Sequence, residues 1–288
     1  MQAEPSLLWI GDSEQADELR LTVASLQPVI TTSCLPTAAA AFGAAGYQLK
    51  PPTVICLAER RPGQYTAAEA IALSRQWPLA RLIVVATCLA DGRRRSGPPL
   101  PGVTDVSWHD LPSRVRFWVT ELTAGRSGSL GTPLTARRDE RWLETPPLGY
   151  PAQPSDSANS EAVVPQPRVS VTAASDTAAE AVADLVATAG GRVVQQQTGR
   201  PPLIDEAELI VWDTADTPTP HLNWLRLLTS QRPERAVVLL TSFPRGDAVV
   251  DALEAGALAV LGRPVDREAL SGVLRQRQTA LSATAGVR

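Results

Sequence analysis

Strand-sized apolar runs recur through this chain, and most are followed by a stretch with helical spacing. In the first half they are LLWI (7–10), PVITT (28–32), TVICL (53–57), LIVVAT (82–87) and TDVSW (104–108). Between them, residues 14–26 place Ala16, Leu19, Val23 and Leu26 on one helical face, with Ser13 as the expected N-cap. Further helices are predicted over 36–46, 67–75 and 112–123. A strand that is apolar on both faces must be covered on both faces. This pattern therefore predicts a parallel sheet clad by helices, a doubly wound α/β fold.

The rhythm returns in the second half. Its runs are RVSVT (168–172), RVVQQQ (192–197), ELIVW (208–212), AVVLLT (236–241) and LAVLG (258–262). The first is followed by TAAEAVADLVATAG, a helix that Gly190-Gly191 should stop. Helices are also expected near 220–230, 245–255 and 266–278, and the layout implies five strands and five helices. The two halves read as an internal duplication: a domain at 1–124, a Pro-rich linker at 125–167 and a domain at 168–284. Seven prolines fall in the linker region. Within it, ARRDERWLETPPLGY (136–150) carries Trp142, Leu143 and Tyr150. It is either a docking segment or an extended chain touching its own domain. In the first half, the fourth strand leads not to a helix but to GRRRSGPPLPG, with Arg93, Arg94 and Arg95.

Composition excludes several classes. A length of 288 residues suits about two domains, and 44% apolar content supports real cores. A net charge of −3 offers no broad cationic surface for nucleic acid or anionic lipid. The apolar runs are too short to cross a membrane, and the N-terminus lacks the pattern of a signal peptide. Cys34, Cys56 and Cys88 have no metal-site spacing, so buried free thiols in a reducing cytoplasm are expected. Lys50 is the single lysine among 27 basic residues, so an arginine where lysine is usual is weak evidence of design.

DALEAGALAVLGRPVDREAL (251–270) is similar to the closing segment of response regulator receiver domains. Ala255-Gly256-Ala257 matches the turn that feeds the family's last strand, and Arg263-Pro264 stands at its Lys-Pro pair. The resemblance, which covers about 168–280, puts Thr241 at the switch hydroxyl and Asp213 at the phosphoacceptor. It implies two flavodoxin-like, receiver-like domains in tandem. The first half resembles the family more faintly, through PPTVICLAERRPG (51–63). There Ala58 falls at the acceptor position, Asp12 is the one acid kept after the first strand, and Ala86 or Thr87 is at the switch. Glu59 reads either as a fixed imitation of a negative charge or, preferably, as a solvated loop residue.

Phosphoryl transfer to a carboxylate needs a divalent cation to relieve anion repulsion, and a cation to neutralise the product. The family's acidic pair would align with Ala173-Ala174 here, and alanine cannot ligate Mg²⁺. Asp176 comes two residues later, at an expected helix start where its charge suits the dipole. Asp213 is therefore open to two readings, a phosphoacceptor or an ion-pair partner of Arg263, and the missing acids favour the second. The first copy cannot accept a phosphoryl group on the usual residue.

Other constellations are weaker. The cluster Arg93–Arg95 lacks a P-loop pattern, leaving an acidic-partner contact or solvated arginines. His109 and His221 have neither a zinc nor a hydrolase setting. The tryptophans read as packing. The sequence thus points to a non-catalytic pair of receiver-like domains that contacts other proteins in signalling, through surfaces including Arg93–Arg95 and Trp142. No cofactor is needed for that role. Two alternatives stand: a response regulator phosphorylated on Asp213 with Mg²⁺, and a domain binding a small molecule or nucleotide in its crevice.

Overall fold

The computed structural model describes residues 4–45, 50–90, 100–131, 166–217 and 219–285. Two compact units divide between Glu144 and Thr145.

The first unit runs β1 (Ser6–Ile10), α1 (Asp17–Leu26), β2 (Thr31–Leu35), α2 (Ala38–Ala45), β3 (Val54–Glu59), α3 (Ala67–Gln76), β4 (Arg81–Ala86), β5 (Thr104–Ser107) and α4 (Leu111–Thr123). Its sheet has the order β2-β1-β3-β4-β5, with every pair parallel. Strands β3 and β4 are buried at every residue because helices cover both faces. On one face Leu8, Ile10, Ile55, Leu57, Leu82 and Val84 pack with Ala70, Leu73 and Trp77.

Three expectations are corrected here. The second strand begins at Thr31 rather than at Pro28, because the preceding residues close the end of α1: Val29 and Ile30 both donate their amides to the Leu26 carbonyl. Ser13 is not a cap. Asp12 caps instead, accepting from the Glu14 amide at 2.9 Å at the start of a short 3₁₀ turn, and α1 begins only at Asp17. The thiols are not all buried: Cys56 is, but Cys88 is intermediate and Cys34 is exposed, because β2 is an edge strand. After α4, the chain as far as Gly131 stays on this unit, and Arg81 donates to the carbonyls of Ser129 and Leu130 at 2.8 and 3.2 Å.

The second unit runs β6 (Arg168–Ala173), α5 (Asp176–Ala189), β7 (Arg192–Thr198), β8 (Leu209–Asp213), α6 (Thr219–Gln231), β9 (Ala236–Thr241), α7 (Gly246–Glu254), β10 (Ala259–Gly262) and α8 (Arg267–Ala285). The order β10-β9-β8-β6-β7, again all parallel, is the first unit's order read from the other edge. Numbered within each unit it is 2-1-3-4-5, the flavodoxin-like winding, whose crevice opens at the carboxyl ends of the strands. Ser175 caps α5, and Gly190 ends it in the left-handed conformation at φ 101°. Val169, Val171, Leu209, Val211, Val238 and Leu240 form one face of the core against α5 and α8.

The second unit has four helices among its described residues, not five. Residues 199–208 cross from β7 to β8 as a loop, in which Pro201-Pro202 opposes a helix. The loop is held by its neighbours. Arg235 pairs with Asp205 at 2.9 Å with both side chains essentially unexposed, and also donates to the Leu203 carbonyl. Arg232 donates to the Asp205 carbonyl and the Trp224 indole to that of Pro201. No helix among the described residues is long and apolar enough to cross a membrane.

Candidate functional site

The second unit's crevice is built by three adjacent strand ends. Asp213 is the last residue of β8, Thr241 the last of β9, and Arg263 follows Gly262 at the end of β10. Parallel register sets Asp213 beside Leu240 and Gly262 beside Thr241, and the Arg263 amide donates to the Thr241 carbonyl at 2.9 Å. The Arg263 guanidinium donates to the Asp213 carboxylate. That carboxylate is 4% exposed, whereas the arginine side chain is 38% exposed. The Thr241 hydroxyl is buried and makes no hydrogen bond among the described residues.

Across from this pair, where a cation would need oxygen ligands, β6 ends in Ala173, fully buried, followed by exposed Ala174. Asp176 is the exposed first residue of α5. No group of three His, Cys, Asp or Glu side chains among the described residues is placed to hold a metal. Mg²⁺ demands octahedral oxygen coordination, usually with one or two carboxylates, and the Asp213 carboxylate already serves a guanidinium. The residues present do not fit the ion.

Thr214 and His221 add a polar turn beside Asp213. The Thr214 hydroxyl donates to the Asp216 carbonyl and lies 3.1 Å from His221 Nδ1. The imidazole rests against buried Trp212, with ring centroids 5.0 Å apart. This histidine positions a loop. Trp77, Trp108, Trp118 and Trp212 are core residues.

The first unit's crevice is filled by a residue that the sequence pattern does not single out. The Tyr65 hydroxyl lies 2.7 Å from the Ile10 carbonyl and 3.2 Å from that of Ala58, spanning the ends of β1 and β3. Burial, and then the charges of Glu69 and Glu59, push this phenol well above its ordinary pKa. Gly11 makes room for it. At φ 127°, a Cβ there would stand 2.8 Å from the Ala58 Cβ and 2.9 Å from the Tyr65 hydroxyl. The usable signal was position: Tyr65 follows the Pro62-Gly63 turn directly after β3.

Glu59 is not a solvated loop residue. It ends β3 with no exposure, and its carboxylate accepts the Gly63 amide at 3.1 Å. Asp12 caps its 3₁₀ turn and also accepts from Gln15 at 3.0 Å. Thr87, also buried, donates to the Arg60 carbonyl. At the Lys-Pro position, His109 contacts the Asp110 carboxylate at 3.0 Å. Arg93, Arg94, Arg95 and Trp142 lie outside the described residues.

No protein-family model matches the chain. No curated protein matches it either. Solved structures do. A protein described as pilus assembly-related from Burkholderia pseudomallei is 22% identical, with 40% of this chain covering 90% of it, at a TM-score of 0.36. A response regulator from Thermotoga maritima is 18% identical, with 40% of this chain covering 99% of it, at 0.35. The C-terminal part of E. coli RcsC, containing a linker region and a phosphoreceiver domain, is 14% identical, with 98% of this chain covering 96% of it, at 0.37. Receiver domains thus recur among the similar structures. Identities and TM-scores are low, so the fold assignment rests on the strand order itself: two flavodoxin-like α/β units, each wound as a receiver is.

Proposed function

We propose that the chain is a pair of non-catalytic, receiver-like modules that serves signalling through protein–protein contacts. The observation that carries this reading is the occupied state of both crevices. In the second unit Arg263 neutralises Asp213, and alanines stand where metal-holding acids would be needed. In the first, Ala58 has no carboxylate and Tyr65 fills the space. An aspartate can attack a phosphoryl donor only when the repulsion between anions is relieved. Here the guanidinium of Arg263 already engages that aspartate, and Ala173 and Ala174 offer no carboxylate to bring in a cation.

Titration calorimetry of Mg²⁺ into the full chain tests the reading. It predicts no saturable binding that depends on Asp213. Saturable binding that disappears in Asp213→Asn would overturn it.

A further inference from the structure

We propose that β7 is a pairing edge whose occupant is β7 of a second copy of this chain, joined antiparallel about a two-fold axis at Gln196. This names one partner for the protein-contact reading and rests on that reading.

β7 is an outer strand of the second unit's sheet, and at seven residues it is the longest strand among the described residues. Its inner side is committed to β6. The register runs from Arg192 beside Arg168 to Thr198 beside Ala173, and the Gly199 amide donates to the Ala173 carbonyl at 2.9 Å. Backbone groups alternate sides along a strand. Gln195 and Gln197 therefore bond inward, while Gln196 and Thr198 turn their N–H and C=O outward. Neither makes a hydrogen bond across that edge among the described residues, and both are exposed.

Edge strands are ordinarily kept from pairing by shortness, charge, proline or a bulge. The edge strands β5 and β10 have four residues each, and Pro36 directly follows β2. β7 contains no proline, and its one charge, Arg192, is its first residue. It does carry a bulge: the register shifts between Val169 and Ser170, and Val194 is the extra residue. Gln195 to Thr198 then pair in unbroken register, so that guard covers only the start of the strand.

Self-complementarity selects a second copy. A two-fold at Gln196 sets Gln196 opposite Gln196, Gln195 opposite Gln197, and Val194 opposite Thr198. No charge faces a charge within the strand, and Gln195 and Gln197 share one face of the doubled sheet. Their amides already form a chain. Gln195 Nε2 donates to Gln197 Oε1 at 3.0 Å, and Gln197 Nε2 donates to the Arg200 carbonyl at 2.6 Å. Gln195 Oε1 accepts from no described residue, and Gln197 Nε2 keeps a second hydrogen. The two-fold brings these two groups together twice, once on each side of the axis. A strand without glutamine at both positions would complete neither end of the chain.

Sedimentation equilibrium of the full chain tests this. A strand pair alone is smaller than a standard interface, so a reversible monomer–dimer equilibrium is expected between about 10 and about 500 µM. Gln196→Lys sets two lysines opposite each other at the axis and should weaken the dimer about three- to tenfold. Gln196→Glu should do the same, and an equimolar mixture of the two variants should restore association. A chain that stays monomeric would overturn the proposal and leave the edge to a strand of another protein. A dimer indifferent to both variants would place the contact elsewhere, and a mixture no better than its components would exclude the two-fold at Gln196. Both variants change one exposed side chain, and matched thermal unfolding confirms that they fold. Mg²⁺ binding at Asp213 would sink the non-catalytic reading without changing the association measured here, and a monomeric chain would leave the Mg²⁺ result as it stands.

Discussion

Arg263 reaches from the end of β10 to the carboxylate of Asp213 at the end of β8, across the intervening strand β9. The aspartate is buried and the arginine is partly in water, so the two sides of the pair are unequal. The carboxylate depends on its partner far more than the guanidinium does.

Removing that partner should therefore be costly. Arg263→Ala is expected to lower stability by about 1–3 kcal/mol, less than for a fully buried pair because the arginine is already half solvated. Asp213→Asn, which keeps an acceptor and removes the buried charge, should cost less. Urea denaturation of the three proteins checks the order. Equal stability of Arg263→Ala and wild type would contradict it.

Tyr65 makes the first unit sensitive to alkali. The folded phenol has a raised pKa, whereas the unfolded one titrates near the usual value of about 10. Its contribution is fully present below that value. It falls as pH rises further, because the unfolded state loses the proton first. Stability should decline by up to about 1.4 kcal/mol per pH unit above pH ~10 from this group alone. Tyr65→Phe should flatten that decline while costing about 1 kcal/mol at neutral pH through the lost hydrogen bond. Chemical denaturation between neutral pH and pH ~11 reads both effects.

Among the braces of the loop at 199–208, the buried ion pair should matter most. Arg235 and Asp205 are both buried, so Asp205→Ala leaves a guanidinium without its charge partner and is expected to cost about 3–5 kcal/mol. Hydrogen exchange should show the loss locally. The Ala207 amide, which donates to the Asp205 carboxylate, should lose protection along with the β7–β8 crossing. Unchanged exchange there would contradict the bracing role.

Gly11→Ala should be severely destabilising. Its backbone has φ 127°, and its Cβ would collide with Ala58 and Tyr65. A loss above about 2 kcal/mol is expected from strain and overlap together. Pairing it with Tyr65→Phe should recover part of that loss, since one of the two collisions is with the hydroxyl.

Much of the architecture was legible because burial on both faces writes a continuous apolar run. β3, β4, β8 and β9 are such strands, and their positions follow from VICLA, LIVVA, LIVW and AVVLL. Edge strands carry a fainter signal. β2 is exposed or half-exposed throughout, and its start was displaced onto the apolar turn residues Val29 and Ile30. The missing helix before β8 was hidden by counting on symmetry between the halves, although Pro201-Pro202 stood against it. At the site, the strand-end positions of Asp213 and Thr241 could be read from the runs that precede them. For Tyr65 the sequence offers only its place after the Pro62-Gly63 turn, since its role comes from reaching across to β1, a contact between residues 55 apart in sequence. Glu59 was misplaced for a related reason: its carboxylate folds back onto Gly63, four residues on, which lets a charged residue end a buried strand.

The most direct test of the central claim is intact mass spectrometry of the full chain after incubation with acetyl phosphate and Mg²⁺. With Arg263 on Asp213 and no acids at Ala173 and Ala174, no phosphoryl adduct should form on the wild-type protein. An adduct that forms on wild type and vanishes in Asp213→Asn would contradict the account.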